Sequence, residues 1–308
     1  MAIFEAAAGN GEGAILDAGL AALFAEPFKV HLPARQSVPF IFASPHSGRI
    51  YPASFVAASR LGARALRRSE DAFVDELFAG CVALGAPLIA ARFPRAFLDV
   101  NRAPAELDGT MFDGPLNVSV DAPGPRVNSG LGVIPRIVRD GAEIYQRKLD
   151  PYEAEKRLAL LHRPYHAALA RLIADTRERF GIAVLVDCHS MPSAAAIPDI
   201  VLGDRYGASA SPLLMRWAET AFERRAFSVA RNAPYAGGYT THLHGRRERD
   251  VHAMQVEVNR TLYLDEERIE RSAGFETLRT RLDSALGELT AIDPHVLGRA
   301  RPQAFAAE

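Results

Sequence analysis

The chain has 308 residues, which suffices for one large domain or two small ones. Hydrophobic residues make up 48% and charged residues 24%, as in globular proteins that bury a core. The formal net charge of −1 gives no electrostatic case for nucleic acid or an anionic membrane, so we expect neither as a partner.

Short apolar runs alternate with helical patterns along the chain. Strands are predicted over residues 38–44, 87–92, 97–101, 183–187, 199–203 and 252–258. Helices are predicted after residue 67, with Phe73, Leu77 and Cys81 on one face, after a capping pair at 211–212, and from an acidic cap at 265–267 to residue 289. Apolar strands separated by helices favour an α/β fold with a mostly parallel sheet covered on both faces.

No internal repeat or linker divides the sequence, so we expect a single catalytic domain over residues 1–308. Residues 103–136 hold five prolines and five glycines with little periodicity, which predicts a lid or specificity loop beside a site. A surface insertion without a role is the alternative. Residues 294–308 carry no packing pattern and are predicted to form a mobile tail.

Cysteine content and the chain termini indicate the compartment. Cys81 and Cys188 make no disulfide framework, which is typical of a reducing environment. Residues 1–13 lack the basic and then apolar pattern of a secretory signal, and no apolar run approaches the roughly 18 residues of a membrane span. We therefore expect a soluble, cytoplasmic protein; the sequence leaves its oligomeric state open.

Polar residues with reactive side chains follow the apolar runs at four places. These runs are SPHSG at 44–48, DVNR at 99–102, DCHS at 187–190 and QVEVN at 255–259. Ligands of open α/β sheets bind beyond the carboxyl ends of the strands. The four runs are therefore predicted to converge on one rim of the sheet and to form a site there.

Two of these runs supply histidines that suit a metal. His46 and His189, together with one carboxylate and an open position for water, match the ligand set of a catalytic zinc site. The acidic residues at 70, 71, 75 and 76 offer the carboxylate, and spacing alone does not choose between Glu70 and Asp71. The alternative interpretation is that these acids only favour a helix N-terminus.

Strand alternation separates the side chains of neighbouring residues. Cys188 points away from His189 and is predicted to lie in the core, while Asp187 shares the side of His189 and could support the metal histidine. An acid on a buried strand is costly unless it is paired or belongs to a site, so Glu257 is the predicted general base. A structural salt bridge with an arginine is the alternative for Glu257.

Two arginines suit a substrate carboxylate or carbonyl. The planar guanidinium of Arg102 can bind a carboxylate through two parallel hydrogen bonds, and Arg95 could polarise the scissile carbonyl or add a second carboxylate contact. The segment GGYTTHLHG at 237–245 is predicted to be a loop that approaches a ligand. Its His242 and His244 form an alternative metal pair, less favourable because loops hold metal geometry less well than strand ends.

Taken together and in this order, these motifs resemble the N-formylglutamate amidohydrolase family from about Ser44 to Glu257. The resemblance implies the zinc-exopeptidase-like fold of carboxypeptidase and aspartoacylase. That fold is a three-layer α/β/α sandwich around a central mixed, mostly parallel sheet of about eight strands. It also implies hydrolysis of an N-acyl amino acid, with N-formyl-L-glutamate giving formate and L-glutamate, a reaction of histidine degradation.

The resemblance also implies roles for individual residues. His46, Asp71 and His189 match the ligands of one Zn²⁺ per chain, with Asp71 preferred over Glu70 because relatives keep an aspartate there. Glu257 matches the catalytic glutamate. Substrate-binding roles are implied for Asn101 and Arg102, and for the two residues that follow the glycine pair at 237–238. Together with Arg95, the predicted substrate-binding residues are Arg95, Asn101, Arg102, Tyr239 and Thr240.

Two features depart from the family pattern. The His-x-x-Glu ligand spacing of the carboxypeptidase relatives is absent, because Arg49 stands three residues after His46. The loop 103–136 also differs from that expected of the histidine-degradation enzyme. Hydrolysis of another N-acyl amino acid or of a peptide terminus, and a metal-dependent binding protein without turnover, are therefore the alternative functions. A structural zinc site is disfavoured because such sites close with four protein ligands.

Overall fold

The computed structural model describes residues 17–138, 141–194 and 197–297. The expectation about a secretory signal falls on residues outside these ranges, and so does most of the predicted tail, of which only 294–297 are described. Within the described residues, no helix combines the length and apolar character that crossing a bilayer requires.

The described strands form a seven-stranded mixed sheet and a separate two-stranded ribbon. In chain order they are β1 Phe28–His31, β2 Phe40–Ser44, β3 Leu88–Ala91, β4 Ala183–Met191, β5 Ile200–Gly203, β6 Val229–Arg231, β7 Val251–Asn259, β8 Leu264–Asp265 and β9 Glu270–Arg271. The sheet order is β1-β3-β2-β4-β7-β5-β6, and the β1–β3 and β5–β7 pairs are antiparallel while the rest are parallel. The predicted mixed, mostly parallel α/β sheet is confirmed, with seven strands instead of about eight.

Helices cover both faces of the sheet. They are α1 Ala18–Ala25, α2 Ala53–Ala58, α3 Ala63–Leu66, α4 Val74–Leu77, α5 Pro125–Asn128, α6 Pro151–Arg157, α7 Arg163–Phe180, α8 Pro212–Glu223, α9 Tyr239–His244 and α10 Phe275–Thr290. Leu169 and Ile173 of α7 pack on one face with Leu185, while α8 and α10 cover the opposite face, where Val184 and Val186 point. Two apolar layers on one sheet give the predicted three-layer sandwich.

The central pair of strands positions the site. Strand β4 is buried along all nine residues, as expected of a parallel strand covered on both faces. It pairs in parallel with β7, so that His189 lies beside Glu257 in the register. Cys188 lies in the same apolar layer as Val186, on the face away from His189, as strand alternation predicted.

Several predicted elements differ from the structure. Residues 97–101 form turns instead of a strand, because Phe97 and Leu98 both donate backbone hydrogen bonds to Pro94 O, and their apolar side chains are buried without strand pairing. The helix predicted after residue 67 is interrupted, since Phe73 has a left-handed backbone with φ 62°.

Two further predictions, one of a helix start and one of a loop, were wrong. The acidic residues 265–267 belong to β8 and the turn after it, and α10 begins only after Gly274. The segment 237–245 contains the short helix α9 rather than only a loop. The cap at Ser211 is confirmed, since its side chain accepts a hydrogen bond from Leu214 N.

Candidate metal centre and active site

Three buried side chains converge at the carboxyl ends of β2 and β4. His46 follows β2, His189 lies in β4, and Asp71 lies between a 3₁₀ turn at 67–69 and α4. Asp71 Oδ2 is 3.2 Å from Nδ1 of His46 and 2.9 Å from Nδ1 of His189. One ligand atom from each residue lies within 4.8 Å of the others, and in the described part of the chain these three are the group that could hold a metal ion.

The other nitrogen of each imidazole ring faces a second carboxylate. Nε2 of His46 is 2.7 Å from Oδ1 of Asp99, and Nε2 of His189 is 3.0 Å from Oδ2 of Asp187. A proton held on Nε2 leaves the Nδ1 lone pair free for a metal. Two Nδ1 atoms and one carboxylate oxygen therefore fit a divalent ion such as Zn²⁺.

The electrostatics of the triad favour a cation. Burial alone would raise the pKa of the Asp71 carboxyl, but hydrogen bonds with both histidines hold it well below its usual range. Burial alone would lower the pKa of His189, but the carboxylates of Asp187 and Asp71 raise it well above its usual range. Negative charge around the two imidazole rings therefore stabilises positive charge at this point.

The structure brings Asp71, and not Glu70, to the histidines. The Glu70 carboxylate turns away and accepts two hydrogen bonds from Arg67, at 3.0 and 3.1 Å. The backbone N–H of Asp71 donates to the carbonyl of His46 at 3.1 Å, which ties this segment to the end of β2. Sequence spacing could not choose between Glu70 and Asp71, because the direction of each side chain depends on the turn between residues 67 and 74.

A buried arginine that sequence reasoning missed supports the triad. Nη2 of Arg260 donates to Oδ1 of Asp71 at 2.9 Å, and Nε donates to Oγ of Ser190 at 3.0 Å. The ion pair leaves Oδ2 of Asp71 facing both histidines. Arg260 directly follows β7, so the same strand-end pattern that selected Glu257 could have selected it.

Glu257 lies beside the triad with only 7% of its surface exposed. Its Oε1 accepts a hydrogen bond from Nε2 of Gln255 at 2.6 Å, and it forms no ion pair with a described residue. The alternative of a structural salt bridge to an arginine is therefore not what the structure contains. Burial raises the pKa of Glu257 to about 7, which leaves the group able to take and release a proton near neutral pH.

A cavity of about 460 Å³ opens onto these groups, and its wall includes Arg95, Asn101 and Arg102. Arg95 Nε is 2.9 Å from Oδ2 of Asp99. Asn101 Oδ1 accepts from the backbone N–H of Thr240 at 2.9 Å, and its Nδ2 is 3.3 Å from Nε2 of His189. Asn101 thus lies between His189 and the start of α9.

The glycine-rich segment meets the cavity through its glycines. Gly237 and Gly238 line it, whereas Tyr239 and Thr240 begin α9 behind this wall and are not among its lining residues. A Cβ at Gly238 would lie 2.3 Å from Oδ1 of Asn101, so the absence of a side chain permits this close approach.

The alternative metal pair does not form a site in the described residues. His242 is exposed on α9, while Nε2 of the buried His244 lies 3.1 Å from Nδ1 of His166. Burial lowers the pKa of His166 to about 3 and that of His244 to about 4, so His166 and His244 are both neutral near neutral pH. His166 in turn contacts the carbonyl of Val100 at 2.8 Å and supports the turn that carries Asn101.

The long segment 103–136 folds back onto the cavity. Arg126, Leu131 and Pro135 from this segment line the cavity. Val133 fixes the segment to the site, because its carbonyl accepts a hydrogen bond from Asp99 N at 2.8 Å. Arg126 was not identified from the sequence, since nothing in a loop without periodicity indicates which side chain reaches a site.

Comparison with known proteins identifies close relatives. The N-formylglutamate amidohydrolase family matches residues 38–264. The chain is 30% identical to the N-formylglutamate deformylase of Pseudomonas aeruginosa over 242 residues, which cover 76% of this chain and 85% of that protein. It is 29% identical to the Pseudomonas putida deformylase over 238 residues, 74% of this chain and 83% of that protein. A crystal structure of N-formylglutamate amidohydrolase from Ralstonia eutropha has a TM-score of 0.80 and 34% identity, covering 88% of this chain and 98% of that chain.

Proposed function

The chain belongs to the N-formylglutamate amidohydrolase family, and from that membership we propose that it hydrolyses the amide bond of an N-acyl amino acid with the help of zinc. The proposed substrate is N-formyl-L-glutamate, and the products are formate and L-glutamate. The observation that carries this proposal is the convergence of His46, Asp71 and His189 beside the buried carboxylate of Glu257, which forms no ion pair with a described residue.

His46, Asp71 and His189 would hold one Zn²⁺ per chain. When bound there, the ion lowers the pKa of water and polarises an acyl carbonyl. Asp99 and Asp187 hold the imidazole rings so that both Nδ1 atoms face the same point. Arg260 binds Oδ1 of Asp71 and so orients the carboxylate.

Glu257 is the proposed general base. It accepts a proton from the attacking water and delivers that proton to the nitrogen of the leaving amino acid. The water oxygen joins the acyl carbon and the C–N bond breaks, so one water is consumed for each amide hydrolysed. A pKa near 7 suits both halves of this transfer, because Glu257 must first gain and then release the proton.

Arginines of the cavity wall would orient the substrate. Arg102 is buried, yet its charge has no carboxylate partner among the described residues; Nε and Nη1 donate to the carbonyls of Leu131 and Asn101, at 3.0 and 2.8 Å. Its remaining Nη2 is proposed to bind the α-carboxylate of the substrate, and Arg95 to lie near the scissile carbonyl. Asn101, fixed by Thr240 at the start of α9 beside Tyr239, is proposed to complete this end of the cavity.

Formate release from N-formyl-L-glutamate by the purified protein tests the proposal. N-acetyl-L-glutamate tests the acyl group, and N-formyl-L-glutamate α-amide tests the need for the α-carboxylate. Fast hydrolysis of the first substrate and much slower hydrolysis of the other two is the expected result, with acetate as the product measured for N-acetyl-L-glutamate. A protein that binds zinc but hydrolyses none of them would contradict the proposed reaction and support the binding-protein alternative.

A further inference from the structure

Four of the five arginines in the cavity wall divide into two kinds. Arg95 and Arg260 pair with Asp99 and Asp71, so their charges are compensated within the protein. Arg102 and Arg126 also line the cavity, but neither forms an ion pair with any residue that the structure describes. Two guanidinium groups that share a cavity and lack an ion pair among the described residues indicate an anionic ligand with more than one negative group.

The backbone links Arg126 to Arg102 through a single residue. Leu131 N–H donates to the carbonyl of Arg126 at 2.8 Å, and the Leu131 carbonyl accepts a hydrogen bond from Nε of Arg102 at 3.0 Å. Val127, next to Arg126, is buried and anchors the short helix α5. The exposed Arg126 is therefore carried by a fixed piece of backbone and not by a free loop tip.

The two charges influence each other. Burial lowers the pKa of the Arg102 guanidinium. The carboxylates of Asp99 and Glu106 act in the opposite direction, and the positive charges of Arg95 and Arg126 add to the lowering. Like charges that share a cavity repel, and a bound anion relieves this repulsion. A substrate with one carboxylate could compensate one of the two arginines but not both.

We propose that Arg126 binds the side-chain carboxylate of an acidic N-acyl amino acid, while Arg102 binds its α-carboxylate. This inference rests on the proposed function of the cavity and adds to it the residue that selects a dicarboxylic substrate. Segment 103–136 then serves to place the positive charge of Arg126 at the cavity, where the strands of the sheet do not provide it.

The test compares N-formyl-L-glutamate with N-formyl-L-glutamine, which has the same shape without the second charge. In the zinc-loaded full-length protein, Arg126→Gln should reduce the preference for the glutamate substrate by about 10- to 100-fold, mainly through KM. Arg126→Lys should retain part of the preference. Arg102→Gln should weaken both substrates alike. Arg171→Gln, at a position 85% exposed on α7, is the matched control and should change neither.

Binding measurements separate this inference from the proposed reaction. Glutarate and butyrate differ by one carboxylate, and calorimetry should show tighter binding of glutarate that Arg126→Gln abolishes while butyrate binding is unchanged. If no formate is released but this difference is found, the reaction is wrong and the dicarboxylate site stands. An Arg126→Gln variant with the substrate preference and glutarate affinity of the parent protein would overturn the inference.

Discussion

The carboxylate of Asp187 lies 3.0 Å from Nε2 of His189, on the side of the ring that faces away from Asp71. Asp187 is fully buried, and its oxygens accept no well-aligned hydrogen bond from another described residue. Asp99 takes the equivalent position behind His46. Each histidine of the proposed metal centre is therefore held between two carboxylates, one shared and one of its own.

Replacing Asp187 by Asn should weaken metal binding. The change removes the charge that holds a proton on Nε2 of His189, and such supporting contacts are typically worth 10- to 100-fold in metal affinity. A zinc competition titration with a chelator measures this effect. Asp175→Asn, at a position 63% exposed on α7, is the control. Equal zinc affinity in both variants would argue against the supporting role of Asp187.

Glu257→Gln should separate metal binding from turnover. The amide keeps the size of the side chain but cannot accept a proton, so we expect kcat to fall by about 10²- to 10⁴-fold. Zinc content should be unchanged, since Glu257 is not one of the three proposed ligands. Turnover close to that of the parent protein would exclude Glu257 as the base.

The activity should rise with pH through the ionisation of Glu257. The base works only when deprotonated, and burial raises its pKa to about 7 without a metal. A divalent cation nearby favours the carboxylate, so in the zinc enzyme this limb of the kcat/KM profile should lie at or below pH 7. The profile is measured from pH 4.5 to 9, and a flat profile across this range would contradict the assignment.

Gly238→Ala should disturb the site more than the fold. The new Cβ would meet the side-chain amide of Asn101, which contacts both His189 and the start of α9. We expect kcat/KM to fall by about 10-fold or more, because small displacements in an active site are costly. Gly109→Ala, where the added Cβ meets nothing within 4 Å, is the matched control. Equal kcat/KM for both variants would show that this close approach is unimportant.

The sheet and the two histidines were predictable because they depend on local patterns. Apolar runs identified β2, β4 and β7. Strand alternation placed His189 on the side opposite Cys188 in β4, and Glu257 on the side opposite Val256 in β7. The end of a parallel strand is also where ligands bind, so a polar residue after an apolar run carries information about the site.

The remaining parts of the site depend on contacts that no local pattern encodes. The left-handed conformation of Phe73 interrupts the predicted helix, and the orientation of Asp71 follows from the resulting turn. Arg126 lines the cavity from a segment that is held by two backbone hydrogen bonds, from Leu131 N to the carbonyl of Arg126 and from Asp99 N to the carbonyl of Val133. The helix α7 was not located, although its histidine at 166 supports the turn before Asn101.

Formate release from N-formyl-L-glutamate, measured before chelation, after chelation and after return of zinc, tests the central proposal most directly. We predict that chelation abolishes release while circular dichroism shows a folded protein, and that about one Zn²⁺ per chain restores it. Release that continues unchanged after the metal has been removed would contradict a metal-dependent reaction at His46, Asp71 and His189.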